Sequence, residues 1–264
     1  MKFTDTHCHL EFDAFDKDRN ETIDRAKTAG LFFILNPGID LPSSKLAIEL
    51  TTMYNGLIFA GIGMHPNYGK TWEHSTLEEL RKLASEENVK AIGEIGLDYY
   101  RQHTPHDLQK LIFREQLALA KELDLPVLIH NRDATIDLMP ILAEWYQSLH
   151  QSSPLIQKPG VLHSFSDDAG TAKKAIEMNF FIGVTGPVTF KNALDRKEMV
   201  ANLPMEKILL ETDAPFLTPH PYRGRRNEPC YIPHIAEEIA RLKNISVSEV
   251  ASITSQNTSF LFDL

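Results

Sequence analysis

Two histidines one residue apart, His7 and His9, stand in the stretch Asp5-Thr6-His7-Cys8-His9-Leu10. In an extended backbone, residues two apart point to the same side, so both imidazoles face one point and Cys8 faces away. Such a pair at a strand end can start a metal site, although taken alone it reads slightly better as two solvated histidines. Further groups of the right chemistry recur along the chain at His65, Glu94, His130, His163 and Asp213. His7, His9, His130, His163, Glu94 and Asp213 offer four imidazole nitrogens and two carboxylates. A catalytic zinc takes three protein ligands and keeps an open position, so six donors exceed the needs of one ion. Two divalent ions (Mg²⁺, Mn²⁺ or Zn²⁺) sharing Glu94 account for the surplus. A pair of this kind suits hydrolysis of a phosphodiester or ester-like bond, because a bound water falls from a pKa of ~15.7 towards ~7. Asp213 can hold one ion and accept the proton of the attacking water. No serine sits in a Gly-x-Ser-x-Gly elbow to act as a rival nucleophile.

These residues lie far apart in sequence, so the elements between them must bring them together. The weakly alternating stretch 2–6 and short apolar runs at 31–35, 57–62, 89–95, 126–129, 160–162, 180–184 and 208–211 read as strands. Between and after them, helical spacing marks 16–29, 42–53, 76–86, 106–123, 134–147, 168–178, 192–202, 232–242 and 247–262. Gly30 follows the first helix as a C-cap, Pro42 starts the second, and Asp167 or Asp168 caps the sixth. Residues 148–159 read as a loop or a loosely ordered extension. Regular alternation implies a parallel sheet with helices outside, and eight units in this length imply an α/β (β/α)8 TIM barrel. The expectation is one barrel domain over 1–264 with additional C-terminal helices. An open doubly wound sheet would need a Gly-rich phosphate loop after an early strand, and there is none. In a barrel the active site lies at the C-terminal strand ends. His7, His9, His65, Glu94, His130, His163 and Asp213 all fall there.

The composition, 42% hydrophobic and 24% charged, is that of a globular chain able to bury a core without staples. No apolar run is long enough for a membrane span, and no signal peptide is evident. Two cysteines, Cys8 and Cys230, are too few for a disulfide framework, so a cytoplasmic location is the expectation. A net charge of −9 argues against nonspecific nucleic-acid binding over the whole surface, but not against a local basic patch that grips one strand end.

The motifs at the strand ends carry a family likeness. Asp5-Thr6-His7-Cys8-His9-Leu10, Gly63-Met64-His65-Pro66, Gly93-Glu94-Ile95-Gly96-Leu97-Asp98-Tyr99, Ile129-His130-Asn131-Arg132, His163-Ser164-Phe165-Ser166, Glu211-Thr212-Asp213-Ala214-Pro215 and Arg226-Asn227-Glu228-Pro229 together resemble the TatD family of metal-dependent deoxyribonucleases, within the amidohydrolase-like barrels. The likeness spans nearly the whole chain. It implies that His7, His9, Glu94, His130, His163 and Asp213 hold two divalent ions with the glutamate shared. It also implies hydrolysis of DNA, commonly from a 3′ end, by a 3′–5′ exonuclease or repair-type enzyme. Ser166 departs mildly from a position that is often glycine.

Around this set, His65 is a candidate substrate contact or the residue that orders the His-Pro turn. Arg101, Arg132, Arg223, Arg225 and Arg226 are candidate phosphate contacts, the last three in the loop after the eighth strand. Tyr99, Tyr100, Phe165, Phe216 and Tyr222 are candidates for stacking on bases, of which one or two are expected to serve. Asp5 either orients a ligand or satisfies buried backbone. Cys8 is expected in the core. The expected partner is DNA, as single strands or 3′ ends, with no membrane and no obligate protein partner. Alternatives with the same metal chemistry are an amidohydrolase acting on a cyclic amide or lactone and an esterase acting on aminoacyl-tRNA. Amidohydrolases of this kind often bridge their metals through a carboxylated lysine on the fourth strand, where this chain has Glu94. A non-catalytic metal scaffold is disfavoured by the full donor set.

Overall fold

The structure is a computed structural model that describes residues 1–264. Eight parallel strands follow one another in chain order: β1 (Phe3–Asp5), β2 (Leu31–Pro37), β3 (Ile58–Ile62), β4 (Val89–Asp98), β5 (Val127–Arg132), β6 (Gly160–Leu162), β7 (Phe181–Val184) and β8 (Ile208–Leu210). The ring closes just past the ends of β1 and β8. The Thr6 N–H donates to the Leu210 carbonyl at 3.0 Å, Asp213 N–H to His7 at 2.8 Å, and His9 N–H to Ala214 at 2.8 Å. This is the (β/α)8 TIM barrel expected from the alternation. The closing seam itself carries His7, His9 and Asp213.

The strands are buried on both faces, and their side chains divide between two apolar layers with the period of two that a strand imposes. Ile34, Ile92, Ile129 and Leu162 face the helices. Phe33, Leu35, Ala91, Leu128, Val161, Phe181 and Leu209 fill the barrel, joined by Leu261 and Phe262 from the last helix. One pleat beyond Leu128, Val161 and Leu209 come His130, His163 and Glu211, where the filling gives way to polar groups.

Nine helices cover the outside: α1 (Arg19–Thr28), α2 (Leu41–Met53), α3 (His74–Leu83), α4 (His106–Leu123), α5 (Thr135–Gln147), α6 (Ala169–Glu177), α7 (Leu194–Asn202), α8 (Ile232–Lys243) and α9 (Val247–Phe262). Some of their starts are set by side chains that accept from otherwise unpaired N–H groups. Asp40 and Ser43 form a capping box on α2, Asp168 caps α6 by accepting from Thr171 N–H, and Ser246 with Glu249 boxes α9. Two departures from the sequence reading have clear causes. The helix expected from residue 16 starts at Arg19, because the chain before it makes a 3-10 turn at Asp13–Phe15 that buries Phe15. Residues 148–159 are packed rather than loose: Leu155 is wholly buried, and the Ile156 carbonyl accepts from Tyr146 Oη and from Asn179 Nδ2, each at 2.9 Å.

Candidate metal centre and active site

The barrel mouth gathers all six expected donors. His7 Nε2 lies 3.2 Å from His9 Nε2. Glu94 Oε2 stands 3.4 Å from His7 Nε2 and 3.5 Å from His9 Nε2. Its other oxygen, Oε1, stands 2.8 Å from His130 Nδ1 and 3.7 Å from His163 Nε2. The carboxylate thus turns one oxygen to each histidine pair. Asp213 Oδ1 is 4.0, 3.8 and 3.9 Å from Nε2 of His7, His9 and His163. Asp213 takes a φ of 57°, a left-handed conformation that aspartate tolerates better than most residues. The imidazole of His7 stacks on that of His163 with centroids 3.5 Å apart.

A second ring of acids orients three of these histidines, His9, His130 and His163, through the nitrogens that face away from the centre. His9 Nδ1 meets Glu11 Oε1 at 3.3 Å and the Pro37 carbonyl at 3.1 Å. His163 Nδ1 meets Glu211 Oε2 at 3.2 Å, and His130 Nε2 meets Asp98 Oδ2 at 3.3 Å. The acids are themselves fixed. Glu11 accepts from Asn36 Nδ2 at 2.7 Å, Glu211 from Ser164 N–H at 2.8 Å, and Asp98 from Asn67 Nδ2 at 3.0 Å. Sequence reasoning missed Glu11, Asp98 and Glu211 as site residues. The parity of β8 carries a signal for one of them, because Glu211 is the next inward position after Leu209.

The electrostatics follow from burial opposed by these neighbours. Burial raises the carboxyl of Glu94, but His65 and His7 outweigh it and hold Glu94 well below the usual range. Burial lowers His130, yet Asp98 and Glu94 carry it up to about 9. His9 ends well above its ordinary value, with Glu11 overcoming burial, and His163 ends above it through Asp213 and Glu211. Burial pushes Asp213 up to about 6 and, with His163, depresses His7.

The donor set fits a cation. Nitrogen–oxygen spacings of 3–4 Å are those of groups arranged around one ion at bond lengths near ~2.0–2.3 Å. Four compact sets of three donors occur, two of which share Glu94: His7, His9 and Glu94, and Glu94, His130 and His163.

Above the centre lies a cavity of about 840 Å³. His65 lines it with Nε2 3.7 Å from Glu94 Oε1, while its Nδ1 accepts the Asn67 N–H at 3.1 Å. One ring therefore faces the mouth and also orders the His-Pro turn. Arg101 and Arg132 line the cavity, and the Arg132 guanidinium lies 4.1 Å from the centroid of the exposed Tyr100 ring. Phe216, half exposed, lines the opposite wall with Phe12, whose ring stacks on His9 at 4.7 Å.

The loop after β8 corrects the expectation for Tyr222, Arg225 and Arg226, none of which lines the cavity. Arg226 is held by Asp18 at 2.7 Å through both terminal nitrogens and by Glu228 at 2.9 Å. Tyr222 stacks on Tyr231 at 4.5 Å, and Arg225 lies over Tyr222. Arg223 lies over Phe190. Two of the other aromatic candidates are also committed elsewhere: Phe165 is core, and Tyr99 donates to Asp137 Oδ2 at 2.6 Å. Asp5 serves backbone, accepting from the N–H groups of His7 at 3.2 Å and Thr212 at 2.9 Å, and burial raises it to about 8. Cys8 is in the core, as expected.

A parallel barrel with grouped imidazoles and carboxylates at its C-terminal mouth defines a metal-dependent hydrolase. The family profile described as TatD related DNase matches residues 4–263. The chain belongs to that family. It is similar to the metal-dependent hydrolase YabD of Bacillus subtilis (strain 168), at 44% identity over 98% of each chain. It is also similar to the 3'-5' ssDNA/RNA exonuclease TatD of Erwinia amylovora, at 36% identity over 98% of this chain and 99% of the relative. Among solved structures, the TatD homolog YJJV of Escherichia coli K12 superposes with a TM-score of 0.91 at 30% identity, covering 99% and 98% of the two chains. No helix is long and apolar enough to cross a membrane.

Proposed function

We propose that the protein removes nucleotides from the 3′ end of single-stranded DNA by hydrolysis, with two divalent ions (Mg²⁺, Mn²⁺ or Zn²⁺) held by His7, His9, Glu94, His130, His163 and Asp213. The observation that carries the two-ion reading is the division of the Glu94 carboxylate, one oxygen towards His7 and His9 and the other towards His130 and His163. The name of the Erwinia relative supports the substrate class and the polarity. When bound, the ions supply a hydroxide at neutral pH and polarise the phosphoryl oxygens.

The chain's own groups do the rest. Asp213, whose carboxylate stands at the histidine cluster, accepts the proton of the attacking water. Glu11, Asp98 and Glu211 keep His9, His130 and His163 in the tautomer that turns a lone pair inward. His65, buried and held neutral with a pKa lowered to about 3, lies beside the reacting phosphate and contacts it without adding charge. Arg132 offers a forked donor to a phosphate, and the exposed Tyr100 ring beside it offers a face for a base.

The test uses a single-stranded oligonucleotide labelled at its 5′ end, given to chelator-treated protein with and without each ion. The expected result is no cleavage without metal and, with Mg²⁺ or Mn²⁺, a ladder shortening from the unlabelled end. Immediate release of the labelled nucleotide would reverse the polarity. Activity only on charged tRNA or on an amide panel would replace the substrate.

A further inference from the structure

Six of the eleven arginines are held by carboxylates: Arg19, Arg25, Arg81, Arg114, Arg226 and Arg241. Three more, Arg132, Arg223 and Arg225, lie over aromatic rings. Arg101 has neither kind of partner, but its side chain is exposed to water. Arg196 is different. It stands in the first turn of α7, is partly buried and lines the cavity above the metal centre. No carboxylate oxygen comes within 4.0 Å of it, and burial alone acts on its guanidinium, lowering its pKa. A charge taken partly out of water without a counter-charge is costly to the folded chain. In an acidic protein with carboxylates elsewhere on the surface, that cost is offset when an anion enters the cavity.

We propose that Arg196 anchors a second phosphate of the substrate, one that is not being cleaved. The assignment to a non-reacting phosphate follows from its place outside the donor set: Glu94 and Asp213, which surround the reacting group, line the same cavity, but none of their oxygens comes within 4.0 Å of the guanidinium. A planar guanidinium with a fixed fork of donors suits a phosphodiester oxygen pair. The consequence is a requirement for at least two phosphates, which selects an oligonucleotide over a mononucleotide. The inference rests on the phosphodiesterase reading only for the identity of the anion.

Fluorescence anisotropy on the metal-loaded protein tests it, with two labelled single-stranded decamers. One carries charged, cleavage-resistant phosphorothioate linkages and the other uncharged methylphosphonate linkages. Arg196→Gln should weaken binding of the charged decamer about tenfold and lower the slope of log Kobs against log salt by about one. Arg196→Lys should recover part of the loss, because charge without the fork remains. The uncharged decamer should bind both variants as it binds wild type. Equal losses on the two decamers, an unchanged charged-decamer affinity in Arg196→Gln, or no binding of the charged decamer by wild type would each overturn the assignment. Wild type that binds the charged decamer in an Arg196-dependent way, yet leaves an ordinary DNA decamer uncut, would remove the phosphodiesterase reading and keep Arg196 as a phosphate anchor.

Discussion

Glycine at position 183 is explained by a side chain from the neighbouring strand. A Cβ placed on Gly183 would lie 2.2 Å from Glu211 Oε2, because the glutamate crosses β7 to reach His163. Gly183→Ala should therefore push the carboxylate off the imidazole without touching any proposed ligand. Glu211→Gln should act on the same bond from the other side. Each is expected to lower metal affinity and kcat/KM by about 10–100-fold, the usual effect of removing a ligand's orienting partner. Metal titration and steady-state kinetics check this, and a wild-type affinity in both variants would show that His163 is oriented without Glu211. The six donors were legible in the sequence because each falls at or just after the end of a run that reads as a strand. The acids behind them were less so. An inward glutamate one pleat above an apolar run looks like an ordinary strand end until the opposite strand brings a histidine to it.

The elements divide between those whose sequence periodicity settles them and those set by distant contacts. Helices α4 and α9 fall where their apolar spacing places them, to the residue. The packing of residues 148–159 was hidden, since the anchors that hold the turn, Tyr146 and Asn179, come from flanking elements. The role of α9 was hidden as well. Its last turn reaches under the barrel, where Phe262 stacks on Phe33 at 5.5 Å and Leu261 joins the same interior layer. Phe262→Ala empties space that neighbouring strands cannot close over, so it should cost about 3–5 kcal/mol. Chemical denaturation should show this as a lower midpoint with little change in slope. A loss below 1 kcal/mol would mean that the layer is sealed without α9.

At the scale of the molecule, the chain's two halves are clasped at the seam where the barrel closes. Arg226 and Arg25 share Asp18 and Glu228, joining α1 to the loop after β8. Arg226→Ala should destabilise the fold by about 1–2 kcal/mol at neutral pH, the value for charged hydrogen bonds discounted for partial exposure. The Arg226 hydrogen bonds hold the Asp18 pKa below its ordinary value despite some opposing burial. The clasp is thus fully formed above about pH 4 and is lost as the pH falls further towards the depressed value. The two proteins' stabilities should converge in that acid range, and a gap that stays constant to pH 2 would assign the effect to packing on Phe15 instead. The same seam holds Cys8, wholly buried between His7 and His9 and bridged to Ala214, its thiol pushed well above its usual range by burial. Only Cys230 has any access to solvent. A thiol reagent therefore reaches Cys8 only when the packing around this seam opens, and its rate of modification is a clock for the breathing of that joint. Divalent metal, by tying His7 and His9 to Asp213 across that joint, should slow the clock. A rate indifferent to metal would show that the mouth opens elsewhere.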